Sequence, residues 1–163
     1  MIPFGVTDVY AVIRRKGQRR KEKEVTLAQR FAQVFGAIYL LVGILGFIPP
    51  LVPGEIVGAG PLSGFLIGIF AVNWVHSLAH LLIGVAGLAL YRNPVSARSY
   101  ALAIGVVYAL LFLLGLLPGR WGALDGLLPL NWADNILHLL TAVVALGAYY
   151  ASREVPGAAR PRV

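Results

Sequence analysis

Three histidines and one aspartate lie inside the most apolar stretches of this 163-residue chain, and their spacing is that of a chemical site. His76 and His80 are i,i+4 partners, as are Asp134 and His138, so on helices each pair shares one face. The two pairs sit in matching contexts, NWVHSLAH at 73–80 and NWADNILH at 131–138. If the helices carrying them touch, four side chains converge from an approximate rectangle, about 6 Å along the axes and about 8–10 Å across. His76, His80, Asp134 and His138 are acceptable ligands for zinc or another first-row metal. His80 and His138 could instead hold a heme from its two axial sides, with Gly84 and Gly87 making room for a flat cofactor. Neutral imidazoles beside a carboxylate also suit proton or small-solute handling. Hydrolysis would need Asp134 or His76 to activate water, and only at an occupied metal site.

The same residues have a structural reading. Asn73 and Asn131 each precede an apolar run and make good N-caps, and Asp134 falls at N3, beside the positive end of its helix. Trp74 and Trp132 are expected as anchors at a membrane interface. His80 and His138 lie seven residues past the caps, about 10 Å along each helix, where ionisable side chains normally face a bundle interior.

The elements that position these residues belong to a membrane protein. Hydrophobic residues make up 58% and charged ones 13%, where soluble domains carry about 25% charged; mean hydropathy is +0.77. There is no cysteine, which excludes disulfides, thiolate metal sites and cysteine nucleophiles. Four spans are expected, at 28–48, 74–91, 100–117 and 132–151. Pro49, Pro50 and Pro53 end the first and Pro118-Gly119 the third. Residues 62–91 divide into a short apolar connector at 62–72 and the second span, with one long tilted helix as the alternative. Residues 1–27 form a retained basic segment and 152–163 a tail.

Charge orients the bundle. Of 14 lysines and arginines, only Arg120 falls in the two loops on one side; the rest lie in residues 1–30, the 92–99 loop and the tail. The positive-inside rule then places both termini in the cytoplasm. The basic run at 14–23 has no interleaved aromatics, so it reads as an anchor at acidic lipid headgroups and not as a nucleic-acid site.

The chain also repeats itself. Asn73, Trp74, Ser77 and His80 match Asn131, Trp132, Asn135 and His138, while His76 matches Asp134. Earlier in each half, Gly36-x-x-Tyr39 matches Gly105-x-x-Tyr108 and Gly46-x-x-Pro49 matches Gly115-x-x-Pro118. The expected fold is all-α: a four-helix membrane bundle of two helical hairpins in parallel repeat.

These polar positions in this architecture resemble the bacterial integral membrane proteins grouped as domain-of-unknown-function family 4383. Asn73, His76 and His80 resemble its second-helix motif, and Asn131, Asp134, Asn135 and His138 its fourth-helix motif, over residues 28–151. The resemblance implies a four-span protein of the bacterial cytoplasmic (inner) membrane, without an assigned activity, substrate or cofactor. The leading expectation is a non-enzymatic structural or accessory component of a membrane assembly, a homo-oligomer or part of a larger complex, with glycine-rich helices offering close-packing faces. A heme- or metal-binding protein is the first alternative and a proton or small-solute transporter the second.

Overall fold

The computed structural model describes residues 10, 25–117 and 127–152; the basic amino-terminal run, Arg120 and the tail beyond Ser152 lie outside the described residues. Helix α1, Leu27–Leu45, starts at Thr26, whose hydroxyl accepts from the Gln29 amide while the Gln29 side chain accepts from the Thr26 amide. This reciprocal cap satisfies two of the amide groups that every helix start leaves without partners. Gly46 ends the helix, and Pro49–Leu51 turns as a short 3-10 helix.

The apolar connector folds into a β-hairpin. Strand β1, Gly64–Leu66, pairs antiparallel with β2, Phe70–Val72, in the register Gly64↔Val72, Phe65↔Ala71 and Leu66↔Phe70. Gly64 is required by close approach, because a Cβ there would sit 2.8–2.9 Å from the carbonyl oxygens of Val52, Pro53 and Gly54. The hairpin overturns the single long helix across 62–91: its two strands precede Asn73, whose extended backbone and side-chain cap begin helix α2, Trp74–Leu90. A small apolar cluster of Ile56, Ala59 and Ala71, with Phe65 against it, lies under the hairpin.

Asn93 and Pro94 then open helix α3, Pro94–Gly115. It starts ahead of the apolar run because an Asn cap followed by Pro at the first helical position is a strong start signal. Helix α4 covers Trp132–Ala151, capped by Asn131 and Asp134. Helices α1, α3 and α4 are long and apolar enough to cross a membrane; α2 is apolar but has 17 residues. The chain is an all-α membrane-type protein, with α1 packed most extensively on α2 and α3 on α4.

The core is built of tyrosine and alanine, with Ala28, Ala32, Tyr39, Tyr100, Tyr108 and Ala145 among its buried members. Small residues let backbones meet. A Cβ on Gly84 would collide with the Leu40 backbone of α1, and one on Gly36 would lie 2.9 Å from the Leu88 amide of α2. Where α1 begins and α4 ends, the Ala28 amide donates to Ser152 Oγ at 2.9 Å, and Gln29 Nε2 donates to the Arg92 carbonyl at 3.1 Å.

Gly84→Val must push α1 off α2, and overpacking of this kind costs about 1–3 kcal/mol. Gly147→Val, where an added Cβ meets nothing within 4 Å, should leave thermal unfolding in detergent unchanged. Equal melting temperatures for the two variants would contradict this packing.

Candidate functional site

The polar residues form two layers, and the outer one is organised around a single peptide unit. The Phe65 amide donates outward to the Pro53 carbonyl, so the Phe65↔Ala71 pair exchanges no hydrogen bonds and the N–H and C=O of Ala71 also point away from the hairpin. Both find side chains. The Ala71 amide donates to Asp134 Oδ2 at 3.0 Å, and His76 Nδ1 donates to the Ala71 carbonyl at 3.1 Å. An acceptor from α4 and a donor from α2 thus stand where a third strand would. The Pro129 carbonyl also faces the His76 ring.

The two caps extend this clamp. Asn73 accepts from the His76 amide and, through Nδ2, donates to the carbonyls of Ala59 and Leu127. Asn131 accepts from the Asp134 amide, donates its own amide to Asp134 Oδ2 and reaches the Ile69 carbonyl through Nδ2. Asn73, His76 and Asp134 are all buried. Trp74 and Trp132 stand at the same end, 42% and 73% exposed, as interface anchors would.

The inner layer is a closed circuit of five rings. Centroids are separated by 4.8 Å from Tyr39 to His80, 4.5 Å from His80 to His76, 6.4 Å from His76 to His138, 5.1 Å from His138 to Tyr108 and 5.7 Å from Tyr108 to Tyr39. Tyr39 meets His80, and Tyr108 meets His138, edge to face. Among the described residues the Nδ1 atoms of His80 and His138 and the Tyr39 hydroxyl are buried with no partner at hydrogen-bond distance, the side chains of Tyr108 and Thr141 being the polar groups nearest the Tyr39 hydroxyl. Ser77 Oγ and Asn135 Oδ1 are also unpartnered, but they fill notches at Gly46 and Gly115, where any Cβ would collide with them.

The structure therefore gathers the three histidines and gives Asp134 a different task. Helices α2 and α4 are not an extensively packed pair; their imidazoles meet across the bundle, with Tyr39 of α1 and Tyr108 of α3 completing the circuit. Among the described residues no group of three or more His, Asp or Glu side chains is disposed to hold a metal ion. Two of the four expected ligands are engaged by Ala71. The space beside Gly84 and Gly87 is taken by α1, with Leu40 against the first and Gly36 and Ala32 against the second, so those glycines admit a helix and not a flat cofactor.

The family model described as Domain of unknown function (DUF4383) matches residues 29–151. The chain belongs to this family. No curated protein and no solved structure matches it. The matched span of this DUF4383 protein contains every residue of both polar layers. Tyr39 and Tyr108 are not among the expected site residues; the repeated Gly-x-x-Tyr spacing is the sequence signal that could have found them.

Removing the Asp134 carboxylate leaves the buried Ala71 amide without its acceptor, a loss of about 1–3 kcal/mol. Asp134→Ala should therefore speed hydrogen exchange at Ala71 and expose the hairpin to protease, while Asp134→Asn, which keeps one carbonyl oxygen, should do so less. Unchanged Ala71 protection in Asp134→Ala would refute the clamp.

Proposed function

We propose that this DUF4383 protein is a non-enzymatic component of the bacterial cytoplasmic membrane, with four spans, both termini inside and a rigid polar cap at the outer end. The observation that carries the reading is the use of His76 and Asp134. The two groups best suited to activate water or complete a metal site are instead donor and acceptor for the Ala71 peptide. The orientation rests on the sequence, in which every lysine and arginine except Arg120 falls within residues 1–30, 92–98 or 153–162, the segments that the positive-inside rule assigns to the cytoplasm.

The two hairpins, α1 with α2 and α3 with α4, are read as copies of one unit. Equivalent positions make equivalent contacts: Gly46 with Ser77 and Gly115 with Asn135, Gly36 with Leu88 and Gly105 with Leu146, Tyr39 with His80 and Tyr108 with His138. A module of this kind works by assembly with further copies or with a larger membrane complex. Native mass measurement in mild detergent that finds only a bare monomer overturns that part of the reading.

Two further measurements test the rest. Because the chain lacks cysteine, Glu55→Cys and Ala158→Cys report topology directly. A membrane-impermeant maleimide should label the first in intact cells and the second only after permeabilisation; the reverse pattern sinks the orientation. Elemental analysis and an absorption spectrum of the purified protein should give neither stoichiometric zinc, iron or copper nor a Soret band. Either signal replaces this reading with a cofactor-bearing one.

A second reading is favoured by the unpartnered atoms of the inner layer. Unsatisfied buried polar groups cost about 1–3 kcal/mol each, and His80 Nδ1, His138 Nδ1 and the Tyr39 hydroxyl converge on the ring circuit. A protic occupant of water's size satisfies them and makes the layer a small-solute or proton site. Magnetisation transfer from water to the imidazole nitrogens of His80 and His138 in lipid-embedded protein should be rapid and weaken in Tyr39→Phe. Dry imidazoles would eliminate this reading.

A further inference from the structure

At the end of the bundle where α1 begins and α4 ends, these two helices leave a groove of about 500 Å³ lined by Leu27, Arg30, Phe31, Val34, Phe35 and Ile38 of α1 and by Val144 and Ala148 of α4. We propose that this groove is a binding site for one anionic phospholipid of the leaflet at the start of α1, with an acyl chain along Phe31, Val34, Phe35 and Ile38 and the headgroup phosphate at Arg30.

Three observations support the assignment. The first is length. From Leu27 to Ile38 the groove follows α1 for about 16 Å, close to half of the roughly 30 Å hydrocarbon thickness. It begins in the first turn of α1, at headgroup level, and stops near the midplane, which suits a lipid confined to one leaflet.

The second is charge. Three arginines fall among the described residues. Arg92 Nε donates to the Tyr91 hydroxyl, and Arg98 lies 4.1 Å over the Tyr149 ring and donates to the Tyr149 carbonyl. The Arg30 side chain is exposed and has no partner among the described residues, where the carboxylates are Glu55 and Asp134 alone. It stands at the positive end of the α1 dipole, so an anion is the group that suits this position. A guanidinium fork suits phosphate oxygens in particular.

The third is the lining itself. Closely packed membrane helices meet through small residues; Gly36, Gly43, Gly84, Gly87 and Gly105 already touch a neighbouring helix, and no glycine lines the groove. The groove presents branched and aromatic side chains, with Phe31 and Phe35 stacked at 4.8 Å. Such a surface accommodates an alkyl chain better than a second helix.

The test uses the full chain in mild detergent, with phosphatidylglycerol and phosphatidylcholine of identical acyl chains added in turn and bound lipid counted by native mass spectrometry. The wild type should hold about one phosphatidylglycerol through delipidation and prefer it about fivefold, as expected for one basic side chain at an acidic headgroup. Arg30→Gln should remove the preference but keep residual binding, and Val34→Trp, which fills the groove, should abolish retention of both lipids. Both positions are exposed, and an unchanged melting temperature in the absence of lipid confirms that each variant is folded. Equal retention of the two lipids by the wild type, or a preference that survives Arg30→Gln, overturns the proposal. So does a dimer that Val34→Trp dissociates, because the groove is then a protein interface.

Discussion

The hairpin end of this molecule depends on one peptide group having two polar partners. A two-stranded hairpin always has two outer edges, and in an apolar setting neither can be left to water. The β1 edge is met by carbonyls of the 51–53 segment, which accept from Phe65 and Ile67. The β2 edge at Ala71 is met by Asp134 and His76. Since these two side chains come from α4 and α2, which do not pack extensively on each other, the hairpin acts as the tie between two helices on opposite flanks of the bundle.

That tie gives a physical reason for one mismatch between the two halves. Asn73 and Asn131, Trp74 and Trp132, and His80 and His138 are identical pairs, yet His76 stands opposite Asp134 in the comparison. A pair of ionised aspartates would serve the N–H of the Ala71 peptide and oppose its C=O. An N–H needs an acceptor and a C=O needs a donor, and a carboxylate with an Nδ1-protonated imidazole supplies one of each where a single hairpin contacts both copies of the proposed duplication. One layer deeper no hairpin intrudes, and the copies match again: Tyr39 on His80, Tyr108 on His138.

Much of this was legible in the residues. The caps at Asn73 and Asn131 and the bundle-facing histidines follow from helix-end chemistry and from the cost of polar groups in hydrocarbon. The hairpin was not legible, because strands of three residues inside an apolar run leave no periodicity to distinguish them from helix. The role of Asp134 was half legible. Its place at N3 is local, but its bond to the Ala71 amide joins positions 63 residues apart, and no spacing rule reaches that far. The tyrosines escaped for a related reason: a pairing of Tyr39 with His80 depends on how α1 lies against α2, which Gly36, Gly84 and Gly87 set through backbone contact.

The length of α2 explains why so much polar structure gathers at one end. Its 17 residues reach about 25 Å, short of a roughly 30 Å hydrocarbon layer, whereas α4 has 20 residues. Irregular backbone at membrane depth is stable only where protein covers it. The segment preceding α2 meets that condition in stages. Ile56, Ala59 and Phe65 supply an apolar underside, Asn73 holds the Ala59 and Leu127 carbonyls, and Asn131 holds Ile69. The short helix, the buried hairpin and the acid–imidazole clamp are therefore three aspects of one solution.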